Sequence, residues 1–351
     1  MKREFKRINL LSRNSFHVDQ VAERLVEADG EADLRELFRE GVPEKWMVLG
    51  GGNNILFTRD YDGLLVVPAA RGIEITREEG DRTWVRAEAG LEWDDLVSWS
   101  VAHGLWGLEN LSLIPGKVGA APVQNIGAYG AEAQRGIESV ECFFVDDLKM
   151  RTLRREECAF GYRESIFKHE LCGKCIILAV TFVLSRTPRP DLDYGDLARE
   201  TEARGGATLE NIREAVCAIR RSKLPDTAVL GNAGSFFKNP TVDLATAGRL
   251  RAEWPDMPLY PSPSSTSTST SPSAGGAGGA GRVKLAAGWL IDRCGMKGFR
   301  EGNVGVHDRQ ALVLVNHGGA TGGEVLALAR KVQQRVRERF GVEIVPEVNI
   351  I

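Results

Sequence analysis

The chain of 351 residues carries 45 lysines and arginines against 48 aspartates and glutamates, a formal charge of −3, and 43% hydrophobic residues. That length supports two or three domains with real interiors, at roughly 100–200 residues each, and the near-neutral balance excludes a binder of nucleic-acid backbones, which needs a clear excess of base on one face. The opening MKREFKRINLL lacks the apolar stretch of a secretion signal and the longest apolar run, Cys175 to Leu184, is too short to span a membrane, so a cytoplasmic protein without membrane insertion is expected.

In chain order, the first signal is Val48-Leu-Gly-Gly-Gly-Asn-Asn-Ile-Leu-Phe57, a strand running into a tight loop. Glycines permit close backbone approach, so successive N–H groups can converge on a diphosphate, and Asn53 and Asn54 add side-chain donors. The stretch is neither GxGxxG opening a helix nor GxxxxGK[ST]; taken alone, a plain turn competes with a cofactor loop. A strand is predicted over Trp84 to Ala87, then a helix with Leu91, Trp93, Leu96, Val97 and Val101 on its buried face and Gly104 as its stop.

The second glycine-rich stretch runs from Leu113 to Gly130, LIPGKVGAAPVQNIGAYG. Small residues from Gly116 onward make it too thin for a helix or an ordinary strand, and such a backbone can lie along an extended ligand. Two such stretches, roughly sixty residues apart, fit a large nucleotide cofactor better than two unrelated turns.

Further strands are predicted at Val140 to Val145, Ile176 to Leu184 and Ala311 to Val315. Leu209, Ile212, Val216 and Ile219 form a helical stripe with Thr208 as N-cap. Thr321-Gly-Gly-Glu324 has capping-box spacing, Val325, Leu328, Val332, Val336 and Phe340 make the buried stripe behind it, and Gly341 ends the helix. The mixture lacks a regular βαβ alternation, which predicts α+β domains. Residues 261–281, PSPSSTSTSTSPSAGGAGGAG, hold nothing larger than Pro or Thr and read as a flexible surface insertion within one domain. Six cysteines are too few for a disulfide scaffold, and Cys172-Gly-Lys-Cys175 has no second CxxC to complete a zinc site, so no metal is expected.

The two glycine loops together resemble the FAD-binding region of UDP-N-acetylenolpyruvoylglucosamine reductases. The likeness continues in order through Gly161-Tyr-Arg-Glu-Ser-Ile-Phe-Lys168, Gly231-Asn-Ala-Gly-Ser-Phe-Phe-Lys-Asn-Pro240, Lys284-Leu-Ala-Ala-Gly-Trp-Leu-Ile-Asp292 and Pro346-Glu-Val-Asn-Ile-Ile351, nearly the whole chain. It implies a two-lobed FAD-binding domain of the vanillyl-alcohol-oxidase type followed by a separate α+β substrate-binding domain. The lobes would span 1–70, with about 345–351 returning to the first, and 71–219; the substrate domain would span 220–345.

The resemblance implies non-covalent FAD, with NADPH and a UDP-sugar as small-molecule substrates of a monomer. FAD would lie along Gly50, Gly51, Gly52, Asn53 and Asn54, and along Pro115, Gly116, Gly119, Ile126, Gly127 and Tyr129. Some members carry hydroxyl residues where this chain has Ala120 and Ala121, so a phosphate contact there must come from backbone N–H or elsewhere. Arg163, Ser235 and Glu347 match the family's reductive site, with Ser235 as proton donor. Tyr194 matches the tyrosine loop of type I members, and Lys223, Asn239, Gln310 and Lys297 match substrate contacts. Without the resemblance, a surface arginine, a loop hydroxyl and a solvated carboxylate are the ordinary readings of the first three. An oxidase of the same fold and a non-catalytic FAD or nucleotide binder are the competing functions.

Overall fold

The computed structural model describes residues 2–261 and 281–351. Two compact units emerge: Met1–Arg13, Gln20–Asn53 and Asp60–Lys223 form the first, and Asn14–Asp19, Asn54–Arg59 and Leu224–Ile351 the second. The linear division expected from sequence is therefore crossed twice. The two short excursions join the second unit because they pair with its backbone: Asn232 N–H donates to Ser15 O (2.8 Å), Asn316 Nδ2 to Phe16 O (2.8 Å), and Ile55–Leu56 forms a parallel pair with Asn349–Ile350. The chain end thus lies against a segment of its own unit.

In the first unit, β1 (Arg3–Asn9), β2 (Val21–Ala28), β3 (Trp46–Val48) and β4 (Tyr61–Pro68) make a sheet in the order β1-β2-β4-β3, with helix α1 (Glu31–Phe38) between β2 and β3 in sequence. A second, antiparallel sheet contains β5 (Ile73–Glu79), β6 (Arg82–Glu88), β7 (Ile137–Phe144), β8 (Lys149–Arg154) and β9 (Cys175–Ser185) in the order β8-β7-β9-β6-β5. The unbroken apolar run of β9 follows from burial on both faces. Cys175 and Ile177 enter the core under helix α2 (Trp93–Ala102), whereas Ile176 and Leu178 face a core built with Leu34 and Phe38 of α1. Phe143 and Val145 serve that same core while Val140, Cys142 and Phe144 serve the other, so alternate residues of one sheet weld two cores.

The α2 helix starts at Trp93, so Leu91 precedes it: its carbonyl is engaged by the N–H of Val118, yet the side chain is still buried. Helix α3 (Leu209–Lys223) packs Leu209, Ile212, Val216 and Ile219 against Val101 and Trp106, and Thr208 Oγ1 caps Asn211 N–H at 3.2 Å.

The second unit holds β10 (Gly231–Ser235), β11 (Thr241–Asp243), β12 (Leu259–Pro261), β13 (Arg282–Leu285), β14 (Val304–Val306) and β15 (Val313–Asn316). The β10-β15-β14 order continues to Arg300–Glu301, and β11-β13-β12 forms a separate sheet. Helix α4 (Gly322–Phe340) has the full capping box of Thr321 and Glu324, a buried stripe from Val325 to Phe340, and Gly341 in the left-handed conformation at φ +65°.

Two residues at the start of α2 clamp the second glycine-rich stretch. Trp93 Nε1 donates to Leu111 O (2.8 Å), Trp93 N–H to Gly116 O (2.9 Å), and Asp94 Oδ1 accepts Leu113 N–H (2.5 Å). Leu113 sits at φ +59°, costly for a leucine, and its carbonyl accepts Arg220 Nε at 3.1 Å. Asp94 is itself held by Arg213 through two bonds of 2.7 and 2.8 Å. Burial raises the Asp94 carboxyl, but the Arg213 guanidinium and the Leu113 N–H outweigh it and hold the group below its ordinary value.

Two expectations follow. Of the insertion at 261–281, residues 262–280 lie outside those described, and Pro261 belongs to β12, opposite Val283 of β13. Because β12 and β13 pair directly as a hairpin, joining Pro261 to Arg282 through a short polar turn should change stability by less than about 1 kcal/mol. Thermal unfolding checks it, and a loss above ~2 kcal/mol would show that the segment packs. Asp94→Asn should cost ~1–3 kcal/mol at neutral pH, the range for hydrogen bonds to charged groups. An acid whose folded pKa is depressed stabilises above its unfolded pKa and stops doing so as pH falls through the folded one, so the gap between wild type and variant should close below about pH 4. Urea midpoints across that range test the sign.

Candidate active site

The first loop leaves β3 and turns through Gly50, Gly51 and Gly52, the last at φ +67°. A Cβ on Gly51 would overlap the Asn53 side chain and lie 3.3 Å from the Cα of Gly116, and one on Gly50 would lie 3.4 Å from the Cβ of Ala120. The two glycine stretches therefore meet closely, backbone to backbone at Gly51 and Gly116. A close backbone approach of this kind suits an extended dinucleotide cofactor.

Beyond Gly116 the stretch forms a 3-10 turn over Val118–Ala120, with Gly119 N–H donating to Ala89 O at 3.0 Å. The N–H groups of Ala120 and Ala121 are engaged within that turn, by Lys117 O and Val118 O, so the hydroxyls missing from these positions are not replaced by their own amides. Ile126 is buried, and Gly127 opens a short hairpin with Ala131–Glu132. Tyr129, at φ +47°, gives its carbonyl to Asn110 Nδ2 (2.9 Å), which also donates to Asp191 O (2.8 Å). Burial pushes the Tyr129 phenol up, and its ring meets the exposed Tyr194 edge to face at 5.9 Å. One asparagine thus ties the end of the cofactor loop to the segment bearing Tyr194.

Arg163 occupies a turn closed by mutual backbone bonds of Gly161 and Glu164 (2.9 and 3.2 Å), at φ +57°. Its guanidinium donates to Asn125 O (3.3 Å) and Gly127 O (2.5 Å), and a Cβ on Gly127 would stand 2.8 Å from Nη1. The arginine is therefore brought directly onto the cofactor loop. Lys223 lies exposed at the end of α3 in the same unit.

In the second unit, β10 pairs with β15 through a one-residue bulge between Asn232 and Ser235, with Gly234 at φ +68°. Ser235 closes this bulge, a feature that can redirect the side chains beside it. The following Phe236 and Phe237 are buried, and their backbone binds the chain end: Phe236 O accepts Glu347 N–H (2.8 Å) and Lys238 N–H donates to Val345 O (3.0 Å). Ser235 and Glu347 are so placed at one backbone pairing. Asn54 turns to the same segment, donating from Nδ2 to Glu347 O at 3.2 Å and accepting from Asn349. Its amide holds the terminus, a role that its place in the glycine loop does not announce.

Asn239 Oδ1 caps Ala287 N–H (3.0 Å), and Gln310 is half-buried with Oε1 3.3 Å from where a Cβ on Gly288 would sit. Lys297 is exposed and ion-paired with Asp292 at 3.6 Å. Among the described residues no group of three His, Cys, Asp or Glu could hold a metal; Cys172 is exposed while Cys175 is buried. Also among them, no helix is long and apolar enough to cross a membrane.

Comparison with known proteins gives the family of the two parts of the chain. The FAD binding domain family matches residues 22–149, and the C-terminal domain of UDP-N-acetylenolpyruvoylglucosamine reductase matches 225–351. The UDP-N-acetylenolpyruvoylglucosamine reductase of Chromobacterium violaceum is 49% identical over 352 residues, covering 98% of each chain, and that of Pseudomonas aeruginosa 50% over 343 residues, covering 96% of each. The crystal structure of the reductase from Thermus caldophilus superposes with a TM-score of 0.67 at 23% identity, covering 100% of this chain and 98% of that one, a likeness of fold. The α+β architecture, with an FAD-binding domain followed by a separate domain, is thereby borne out, and the chain belongs to the UDP-N-acetylenolpyruvoylglucosamine reductase family.

Proposed function

We propose that the chain reduces the enolpyruvyl ether of UDP-N-acetylglucosamine enolpyruvate to the lactyl ether, with NADPH as the source of electrons. The chemistry that FAD supplies when bound is transfer of a hydride from NADPH to the vinyl CH₂ carbon. The adjacent carbon then carries negative charge delocalised into its carboxylate. Arg163 holds that developing charge, since a guanidinium presents parallel N–H groups to a carboxylate. Ser235 Oγ gives its proton to the carbon next to the carboxylate and is reprotonated from solvent. Glu347, when protonated, donates a hydrogen bond to the same enediolate.

The single observation that supports this reading most is the Phe236–Glu347 backbone pair, which sets a hydroxyl and a carboxyl at one bulged strand end. A surface hydroxyl and a solvated terminal carboxylate would need no such placement. Tyr194, Lys223, Asn239 and Gln310 are assigned to the substrate diphosphate, and Lys297, paired with Asp292, is the weakest of the set. The first unit carries the cofactor in this reading. Both nucleotide substrates belong to the cytoplasm, where we expect the chain to act.

Ser235→Ala should leave flavin reduction by NADPH near its normal rate while slowing reoxidation by the enolpyruvyl substrate by the ~10²–10⁴-fold expected for losing a positioned acid. Stopped-flow flavin absorbance separates the two steps; equal slowing of both would make Ser235 a shaping residue. Arg163→Lys keeps the charge but cannot bond two loop carbonyls and a carboxylate in one plane. Its reoxidation step should fall ~10²-fold, and near-normal turnover would remove Arg163 from the site.

A further inference from the structure

The turn that presents Arg163 is fastened to the cofactor loop by more than the arginine itself. Asn125 is fully buried, at φ +44°, a left-handed conformation that asparagine tolerates better than most residues. Its Nδ2 donates to Gly161 O (2.9 Å), at the base of the Arg163 turn, and to Glu132 Oε2 (3.1 Å). Its Oδ1 accepts Gln134 N–H (3.0 Å), and its own carbonyl accepts Arg163 Nη1 (3.3 Å). One residue therefore grips the arginine at both ends, the turn through its amide and the guanidinium through its main chain. Ser165 Oγ, bonded to Val123 O at 2.5 Å, is a second and independent tie between the same two segments.

We propose that Asn125 is a positioning residue for the reductive step: it locks the Gly161–Glu164 turn to the cofactor loop and so sets the direction of the Arg163 guanidinium. The proposal rests on the reading of Arg163 as the group that holds the enediolate. A buried amide with both donors engaged fixes a direction as well as a distance. Without it the Ser165 tie still holds the segments together while the turn can pivot. Displacement of a positioned group by about 1 Å costs on the order of 10²-fold in rate, without unfolding anything.

The test is a double-mutant cycle on the flavin-loaded protein. Asn125→Ala should leave flavin content and reduction by NADPH within about twofold of normal and slow reoxidation by the enolpyruvyl substrate by ~10²-fold. In an Arg163→Ala background the same change should add less than about threefold, because its effect travels through the arginine. Asn125→Asp keeps the side chain's shape and the bond from Gln134 but loses the donations to Gly161 and Glu132 and sets a second carboxyl against Glu132; it should show the same loss or a larger one, and it carries the test if the alanine variant does not retain flavin. Equal slowing of both half-reactions, or a full additional loss in the Arg163→Ala background, would make Asn125 a scaffold residue and overturn the proposal. Slow reoxidation in Arg163→Ala with normal reoxidation in both Asn125 variants would overturn it alone. Normal reoxidation in Arg163→Ala would instead overturn the reading of the arginine.

Discussion

Two stretches of chain separated by roughly sixty residues approach backbone to backbone at Gly51 and Gly116, where a Cβ on Gly51 would lie 3.3 Å from the Cα of Gly116, and much of the first unit is organised to keep them there. One stretch is delivered by β3, a short strand at the edge of its sheet, and the other, apart from the short hairpin that Gly127 opens, belongs to no sheet. The α2 start supplies anchorage, with Trp93 and Asp94 holding Leu111, just before the second stretch, and Leu113 and Gly116 within it. Asp94 can do so only because Arg213 of α3 holds its carboxylate in place. The helix that packs beneath the cofactor loop thus also stabilises its conformation.

The same region concentrates backbone strain. Leu113, Asn125, Tyr129 and Arg163 all have positive φ, and a non-glycine residue held there costs on the order of 1–3 kcal/mol. Each has a compensating grip: Leu113 from Asp94 and Arg220, Asn125 from its own amide bonds, Tyr129 from Asn110, and Arg163 from the Gly161–Glu164 bonds and the loop carbonyls. Strain of this kind persists only where surroundings over-determine it. Four such residues in one loop and the turn bonded to it mark a surface whose shape is fixed before any ligand arrives.

Much of this was legible in the sequence, and the part that was not has a common cause. Small-residue stretches are visible because their composition is itself the constraint. The capping box of Thr321 and Glu324 is visible because its partners are three residues apart, and β9 is visible because burial on both faces leaves an unbroken apolar run. The excursions at 14–19 and 54–59 leave no such mark, since backbone hydrogen bonds to a distant strand ask little of side-chain identity. Leu91 fits the periodicity of the helix face but precedes the helix, because its carbonyl is engaged by Val118 and its side chain is buried all the same. Asn125 carries no mark in the sequence beyond asparagine's tolerance of left-handed backbone, because its partners at Gly161 and Arg163 are more than thirty residues away.

In the second unit the groups assigned to proton transfer are placed by main chain more than by side-chain packing. Ser235 closes the bulge, the two phenylalanines that follow are buried, and the carbonyl of the first receives the N–H of Glu347. The terminal segment is held further along by Asn54 and by the pairing of Asn349–Ile350 with Ile55–Leu56. Here both neighbours of the Pro346–Glu347 peptide are bonded, to Lys238 on one side and Phe236 on the other, so the carboxyl starts from a fixed backbone. Substitutions at Phe236 that loosen its packing should therefore reach Glu347 through one hydrogen bond, which makes an apolar core residue part of the support for that acid.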